Sequence, residues 1–205
     1  MSERRVTRRR DVRTRARRVR LLVLDVDGVL TDGRMILSEH GDELKSFHTH
    51  DGMGVALARR AGIKVAIVTG EKSVIGQRRG AKLGVEEIVL GSRRKAETVE
   101  ELGVKLGVKL DEIAFMGDDL LDIPALERAG LAVAPANAVP EVRAMVDVVT
   151  RAHGGAGAVR ECVELILRAQ GGWTSAVRAF VQDHGGTGQG RRGATSRHGP
   201  AREVG

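Results

Sequence analysis

Aromatic residues are scarce in this 205-residue chain, which has no tyrosine, one tryptophan and three phenylalanines. That shortage argues against a surface built to stack exposed bases, whose affinity rests on aromatic platforms. Cys162 is the sole cysteine, so an intrachain disulfide is excluded and a reducing compartment fits. Its spacing with Val159, Val163, Ile166 and Leu167 makes it a core residue rather than a nucleophile. No apolar run approaches the roughly 18 residues of a membrane helix. The N-terminal stretch also has no apolar segment that could act as a signal peptide, so the expectation is a cytoplasmic protein without membrane contact.

A formal charge of +7 points to nucleic acid or a membrane surface until the charges are located. They sit at the ends. Residues 1–20 hold ten arginines against Glu3 and Asp11, and residues 184–205 hold four against Glu203, which leaves residues 21–183 at −4. The folded part is therefore mildly acidic. Arginine runs can bind phosphate backbones through counterion release, but glycine-rich, aromatic-poor composition favours disordered, solvated tails. The expected organisation is a basic arm over 1–18, one domain over 19–182 and a Gly/Arg-rich tail over 183–205.

Between the tails, short aliphatic runs at 20–26, 63–68, 86–90, 112–116, 131–133 and 146–149 alternate with amphipathic patterns near 53–61, 73–83, 94–106, 121–129 and 138–144. Strands apolar on both faces and separated by helices predict an α/β fold with a doubly wound, mostly parallel sheet. Residues 34–49 read instead as an inserted β-hairpin turning near His40, Gly41 and Asp42. Two closing helices follow residue 155. Trp173 and Phe180 fall on the second, at a spacing that favours core packing over a partner-binding stripe.

Ligands of such sheets bind beyond the carboxyl ends of the strands. Asp25, Asp27, Thr31 and Asp32 follow the first strand; Thr69, Gly70 and Glu71 the second; Gly91 and then Lys95 the third; Gly117, Asp118, Asp119 and Asp122 the fourth. Asp25 and Asp27 are two apart, so both carboxylates project to one side and need a counter-charge. A hard divalent cation supplies it, and Mg²⁺ takes one or two carboxylates plus waters and substrate phosphate. Asp25 and Asp118 can share that metal, while Thr69 and Lys95 suit phosphate oxygens. Asp25 can then attack phosphorus, and Asp27 can protonate the leaving alkoxide and later deprotonate water. Each short motif alone is commonly a turn or a helix cap. Their order at four successive strand ends is the specific signal.

DVDGVLTDG, VTG, the lysine of GSRRK and GDDLLD resemble the four motifs of the haloacid dehalogenase superfamily of phosphatases, over about residues 19 to 170. The resemblance implies Asp25 as nucleophile, Asp27 as general acid/base, Thr69 and Lys95 as phosphate binders, and Mg²⁺ held by Asp25, the Asp27 carbonyl and Asp118. The stretch from Asp27 to Thr69 has no room for a separate cap domain. With AHGGAGAVRE at 152–161, the chain is similar to the capless 3-deoxy-D-manno-octulosonate 8-phosphate phosphatases. That group implies a homotetramer whose hairpins help close neighbouring sites, and a place in lipopolysaccharide or sialic acid-type sugar biosynthesis. The chain departs from the octulosonate pattern at Glu71, where TGR is usual, and at Leu90, where Gln is usual. Glu71 and Lys82 resemble a branch acting on 2-keto-3-deoxynonulosonate 9-phosphate, so the ulosonate stays open. His48, His50 and Asp51 read as exposed residues at the hairpin's end, with two histidines too few for a zinc site. Two alternatives compete with the phosphatase: a receiver-like phosphoacceptor domain, and a nucleic-acid-binding protein using the arginine arm.

Overall fold

The computed structural model describes residues 12–187. Six parallel strands form one sheet in the order β5-β4-β1-β6-β7-β8: β1 (Leu21–Leu24), β4 (Lys64–Val68), β5 (Glu87–Val89), β6 (Ile113–Met116), β7 (Leu131–Ala134) and β8 (Val148–Val149). β1, β6 and β7 are wholly buried because helices cover both faces. Alternation along each strand divides the core. Leu22, Leu24, Ile67 and Met116 pack on one side with α2 (Thr49–Arg60) and α7 (Ala158–Ala169). Leu21, Val23, Val68 and Phe115 pack on the other with α4 (Lys95–Leu106) and α5 (Ile123–Arg128).

β1 pairs with β4 on one side and β6 on the other, so the winding reverses at its carboxyl end. That crevice is where the candidate residues gather. The inserted hairpin pairs only β2 (Ile36–Leu37) with β3 (Glu43–Leu44), and no cap domain follows it before β4. α3 (Val74–Lys82) links β4 to β5, α6 (Pro140–Met145) links β7 to β8, and α8 (Trp173–Asp183) closes the chain. Trp173 and Phe180 pack against the core, and Trp173 also lies beneath the guanidinium groups of Arg160 and Arg168. Burial pushes the Cys162 thiol up to about 12, so it is inert. No helix among the described residues is long and apolar enough to cross a membrane.

Two expectations need correction. The arm over 1–18 is not disordered throughout, because residues 12–18 form a helix, α1. Val12, Ala16 and Val19 give it an apolar stripe that packs into the core, masked in the sequence by the arginines around it. Arg17 Nε donates to Ala169 O at 3.0 Å, Gln170 Nε2 donates to Val19 O at 2.8 Å, and Arg18 pairs with Asp111 at 3.2 Å. The rest of the arm, 1–11, and most of the tail, 188–205, lie outside the described residues. The second correction concerns Asp51. α2 begins at Thr49, capped by His48, which places Asp51 in its first turn and fully buried. Its carboxylate accepts from Gly157 N at 3.1 Å and Arg160 N at 2.9 Å, satisfying the otherwise unpaired start of α7.

Candidate active site

Asp25 extends β1 by one residue, its N–H donating to Met116 O at 3.1 Å, and the residue is only 6% exposed. Gly28 (φ +81°) turns the chain sharply away; a Cβ there would lie 1.9 Å from the Asp118 carboxylate, so only glycine lets the first and fourth motifs touch. Thr31 Oγ1 accepts from Gly28 N and Gly33 N at 3.2 Å each, bracing the same turn.

Lys95 opens α4, 2% exposed, with Nζ 2.6 Å from Asp122 Oδ1 and 3.0 Å from Asp25 Oδ1. Asp122 turns its other oxygen to the backbone N–H groups of Asp118 and Asp119, at 2.9 and 3.2 Å. It thus aims the fourth motif while fixing the lysine. Thr69 is buried after β4, and Ser92 N donates to its carbonyl, drawing the β5 loop over the same cleft. Asp25, Asp27, Thr69, Gly70, Glu71, Lys95 and Asp118 all line this cleft. Lys82 does not. It is exposed at the last turn of α3, nine residues beyond the Ser73 cap and so roughly 13 Å further along the helix.

Asp25, Asp118 and Asp122 each bring a carboxylate oxygen within 4.8 Å of the others. One ammonium cannot balance them. Burial first, then the charge of Asp122, raises Asp25 to about 7 despite Lys95. Burial, then the charges of Asp25, Asp122 and Asp119, raises Asp118 to about 8. Lys95 is held above its ordinary value, burial being outweighed by Asp25 and Asp122. Asp27 Oδ2 is buried without a hydrogen bond, and Asp25 Oδ1 has only the Lys95 ammonium at 3.0 Å. All-oxygen donors and excess negative charge around Asp25, Asp118 and Asp122 fit a hard divalent cation.

A family model of haloacid dehalogenase-like hydrolases matches residues 79–161. The 3-deoxy-D-manno-octulosonate 8-phosphate phosphatase of Escherichia coli K12 is 44% identical over 161 residues, which is 78% of this chain and 86% of that protein. The chain belongs to this family of haloacid dehalogenase-like phosphatases. Its fold matches the crystal structure of the Yersinia pestis 3-deoxy-D-manno-octulosonate 8-phosphate phosphatase with a TM-score of 0.77 at 40% identity, covering 79% of this chain and 88% of that one. The Moraxella catarrhalis phosphatase, solved with a magnesium ion, a phosphate ion and a KDO molecule, matches with a TM-score of 0.80 at 38% identity, covering 83% and 98%.

Around the phosphatase cleft, sequence reasoning lists Asp119 and Asp122 without a role and misses Arg93, Asn137 and Lys45. Asp122 stood within GDDLLD but carried no visible partner. Arg93 and Asp119 also line the cleft. Asn137 Oδ1 accepts from Gly154 N at 2.7 Å while its amide donates to Gly28 O at 3.4 Å. A Cβ on Gly154 would fall 1.7 Å from Gly28 O, so the AHGGAGAVRE segment serves as the floor behind the Asp25 loop. Lys45 Nζ lies 2.7 Å from Asp27 Oδ1 and 3.2 Å from Glu43 Oε1. Burial would lower its pKa, but Asp27 and Glu43 together hold it above its ordinary value.

Proposed function

We propose that the phosphatase hydrolyses a 3-deoxy-2-ulosonate sugar phosphate, with 3-deoxy-D-manno-octulosonate 8-phosphate as the preferred substrate. The observation that carries the reading is the meeting of Asp25, Asp118, Asp122, Lys95 and Thr69 in one cleft at the winding reversal. Its relatives support the substrate, since the name of the E. coli protein specifies the octulosonate ester. The nonulosonate alternative rested on Glu71 with Lys82, and only Glu71 lines this chain's own cleft.

Asp25 and Asp118 would hold Mg²⁺ with the backbone carbonyl of Asp27, and the ion would supply charge neutralisation for the phosphoryl group. Lys95 Nζ and Thr69 Oγ1 orient phosphate oxygens. An Asp25 oxygen attacks phosphorus, and as the P–O bond to the sugar breaks Asp27 gives its proton to the departing oxygen. Asp27 then takes a proton from water, which attacks the aspartyl phosphate and frees phosphate and Asp25. Asp27 in the same cleft as Asp25 favours turnover over the receiver-like alternative. Arg17 and Arg18 of α1 are engaged within the chain, which counts against the nucleic-acid reading at those two positions.

The assembly proposed is a homotetramer. Met35, Ile36, Leu37 and Leu44 of the hairpin are 55–66% exposed, an apolar surface that a second copy would cover. The cleft, about 240 Å³, is smaller than the roughly 300–1,000 Å³ of pockets that enclose small ligands. Neighbouring subunits would complete it and exclude water.

Phosphate release from octulosonate 8-phosphate, nonulosonate 9-phosphate and glucose 6-phosphate, measured beside sedimentation, tests both claims. The highest kcat/KM is expected for the octulosonate ester, from a tetramer. Preference for glucose 6-phosphate would refute the substrate, and a monomeric mass at micromolar concentration the assembly.

The metal site also predicts a pH dependence. Asp25 and Asp118 titrate near 4 in an unfolded chain but at about 7 and about 8 in the metal-free fold. The folded state therefore holds extra protons between those values, and these two groups contribute less stability as pH rises through 7 and 8. Magnesium ion replaces the protons, so it should raise Tm more at pH 9 than at pH 6. An equal rise at both pH values would exclude the carboxylate cluster as its site.

A further inference from the structure

Lys45 stands just past β3 on a two-stranded hairpin whose other face is open to solvent, yet its side chain is 0% exposed. Period two explains the contrast: Glu43 and Lys45 point to the cleft side while Leu44 between them points outward. A buried ammonium is costly unless fully paired. Here Asp27 Oδ1 at 2.7 Å and Glu43 Oε1 at 3.2 Å pair it. Glu43 is anchored in turn, its Oε2 accepting from Ser73 Oγ at 3.3 Å at the cap of α3. The chain Ser73–Glu43–Lys45–Asp27 thus runs from a helix start, across the hairpin, to the second aspartate of the first motif.

Asp27 needs such an anchor. Its neighbour Gly28 leaves regular backbone at once, and Asp27 Oδ2 has no hydrogen bond of its own. We infer that Lys45 is a positioning residue that holds Asp27 by Oδ1, so that Oδ2 is the oxygen that exchanges the proton with the ester. The inference rests on Asp27 being the general acid/base. The proton on Oδ2 passes to the bridging oxygen as the P–O bond breaks, the sugar leaves as a neutral alcohol, and water later returns the proton to Asp27. A hairpin that is otherwise an assembly element would thereby also set the geometry of catalysis.

The leaving group separates this role from a structural tether. A sugar alkoxide is strongly basic and needs the proton; p-nitrophenolate is weakly basic and departs without it. The full-length Lys45→Met and Lys45→Arg variants are compared with the parent on octulosonate 8-phosphate and p-nitrophenyl phosphate, using kcat/KM to read the steps through phosphoryl transfer. Lys45→Met is expected to lose about 10²-fold on the sugar ester, mainly in kcat, and less than about threefold on the aryl ester. Lys45→Arg keeps the charge but replaces a point ammonium by a planar fork, so a smaller, still ester-selective loss of about tenfold is expected. It serves alone if the methionine variant does not fold. Equal losses on both esters, no loss on either, or a rise in KM at unchanged kcat would overturn the inference. Asp27→Asn, run alongside, should show the same selectivity. If it does not, the acid role of Asp27 fails and Lys45 with it; if it does and the Lys45 variants do not, only Lys45 fails.

Discussion

Asp25→Asn is expected to abolish phosphate release, with kcat falling by at least about 10⁴-fold, as happens when a covalent nucleophile is removed. The fold should survive. Asparagine keeps the volume of the side chain, and it removes one of the acids crowded around Asp118 and Asp122. Lys95 retains Asp122 at 2.6 Å. Because Asp118 is raised in part by the charge of Asp25, the variant relieves repulsion, and its Tm without Mg²⁺ should equal or exceed the parent's. Phosphate release and a thermal melt check the two halves together. Near-parental turnover would end the nucleophile assignment, and a large drop in Tm would contradict the electrostatic account.

Lys95→Met should do the reverse to stability. It removes the buried ammonium that sits between Asp25 and Asp122, leaving carboxylates that burial and mutual charge already disfavour. Breaking a buried pair by removing one partner costs about 3–5 kcal/mol, and the effect should be largest in metal-free protein at high pH, where Asp25 and Asp118 ionise. Activity should fall about 10²–10³-fold, the scale of losing one preorganised electrostatic group. Urea unfolding with and without Mg²⁺ tests this. Metal is expected to restore part of the stability and little of the rate. A variant as stable as the parent at pH 9 without metal would show that Lys95 does not hold the cluster together.

The contrast between Lys95 and Lys45 shows how far the site was legible. Lys95 follows a strand in the right order among the motifs, so its place in the cleft could be expected from position alone. Lys45 lies in the inserted hairpin, eighteen residues from the aspartate it meets, and nothing local marks it. Asp122 could be listed but not assigned, because its value lies in dividing two oxygens between Lys95 and the Asp118 and Asp119 amides. For Lys82 the structure adds what the motif does not carry: α3 takes it away from Glu71 and from this chain's own cleft.

The arginine-rich start teaches the same lesson. Ten arginines hid the three apolar residues that dock α1, since composition averages over faces that a helix keeps apart. Asp51 was likewise read from its neighbours on the chain, whereas its partners lie more than a hundred residues away at the start of α7.

By itself the sequence determined the alternation of strands and helices, the absence of a cap before β4 and which strand-end residues gather in the cleft, because periodicity and strand-end position are local properties of the chain. Only the tertiary structure decided which carboxylate answers which cation, which glycines bring Asp118 against the Asp25 loop, and that a hairpin lysine reaches Asp27. Those depend on distances between segments remote in sequence, and electrostatic and packing energies are set by distance in space.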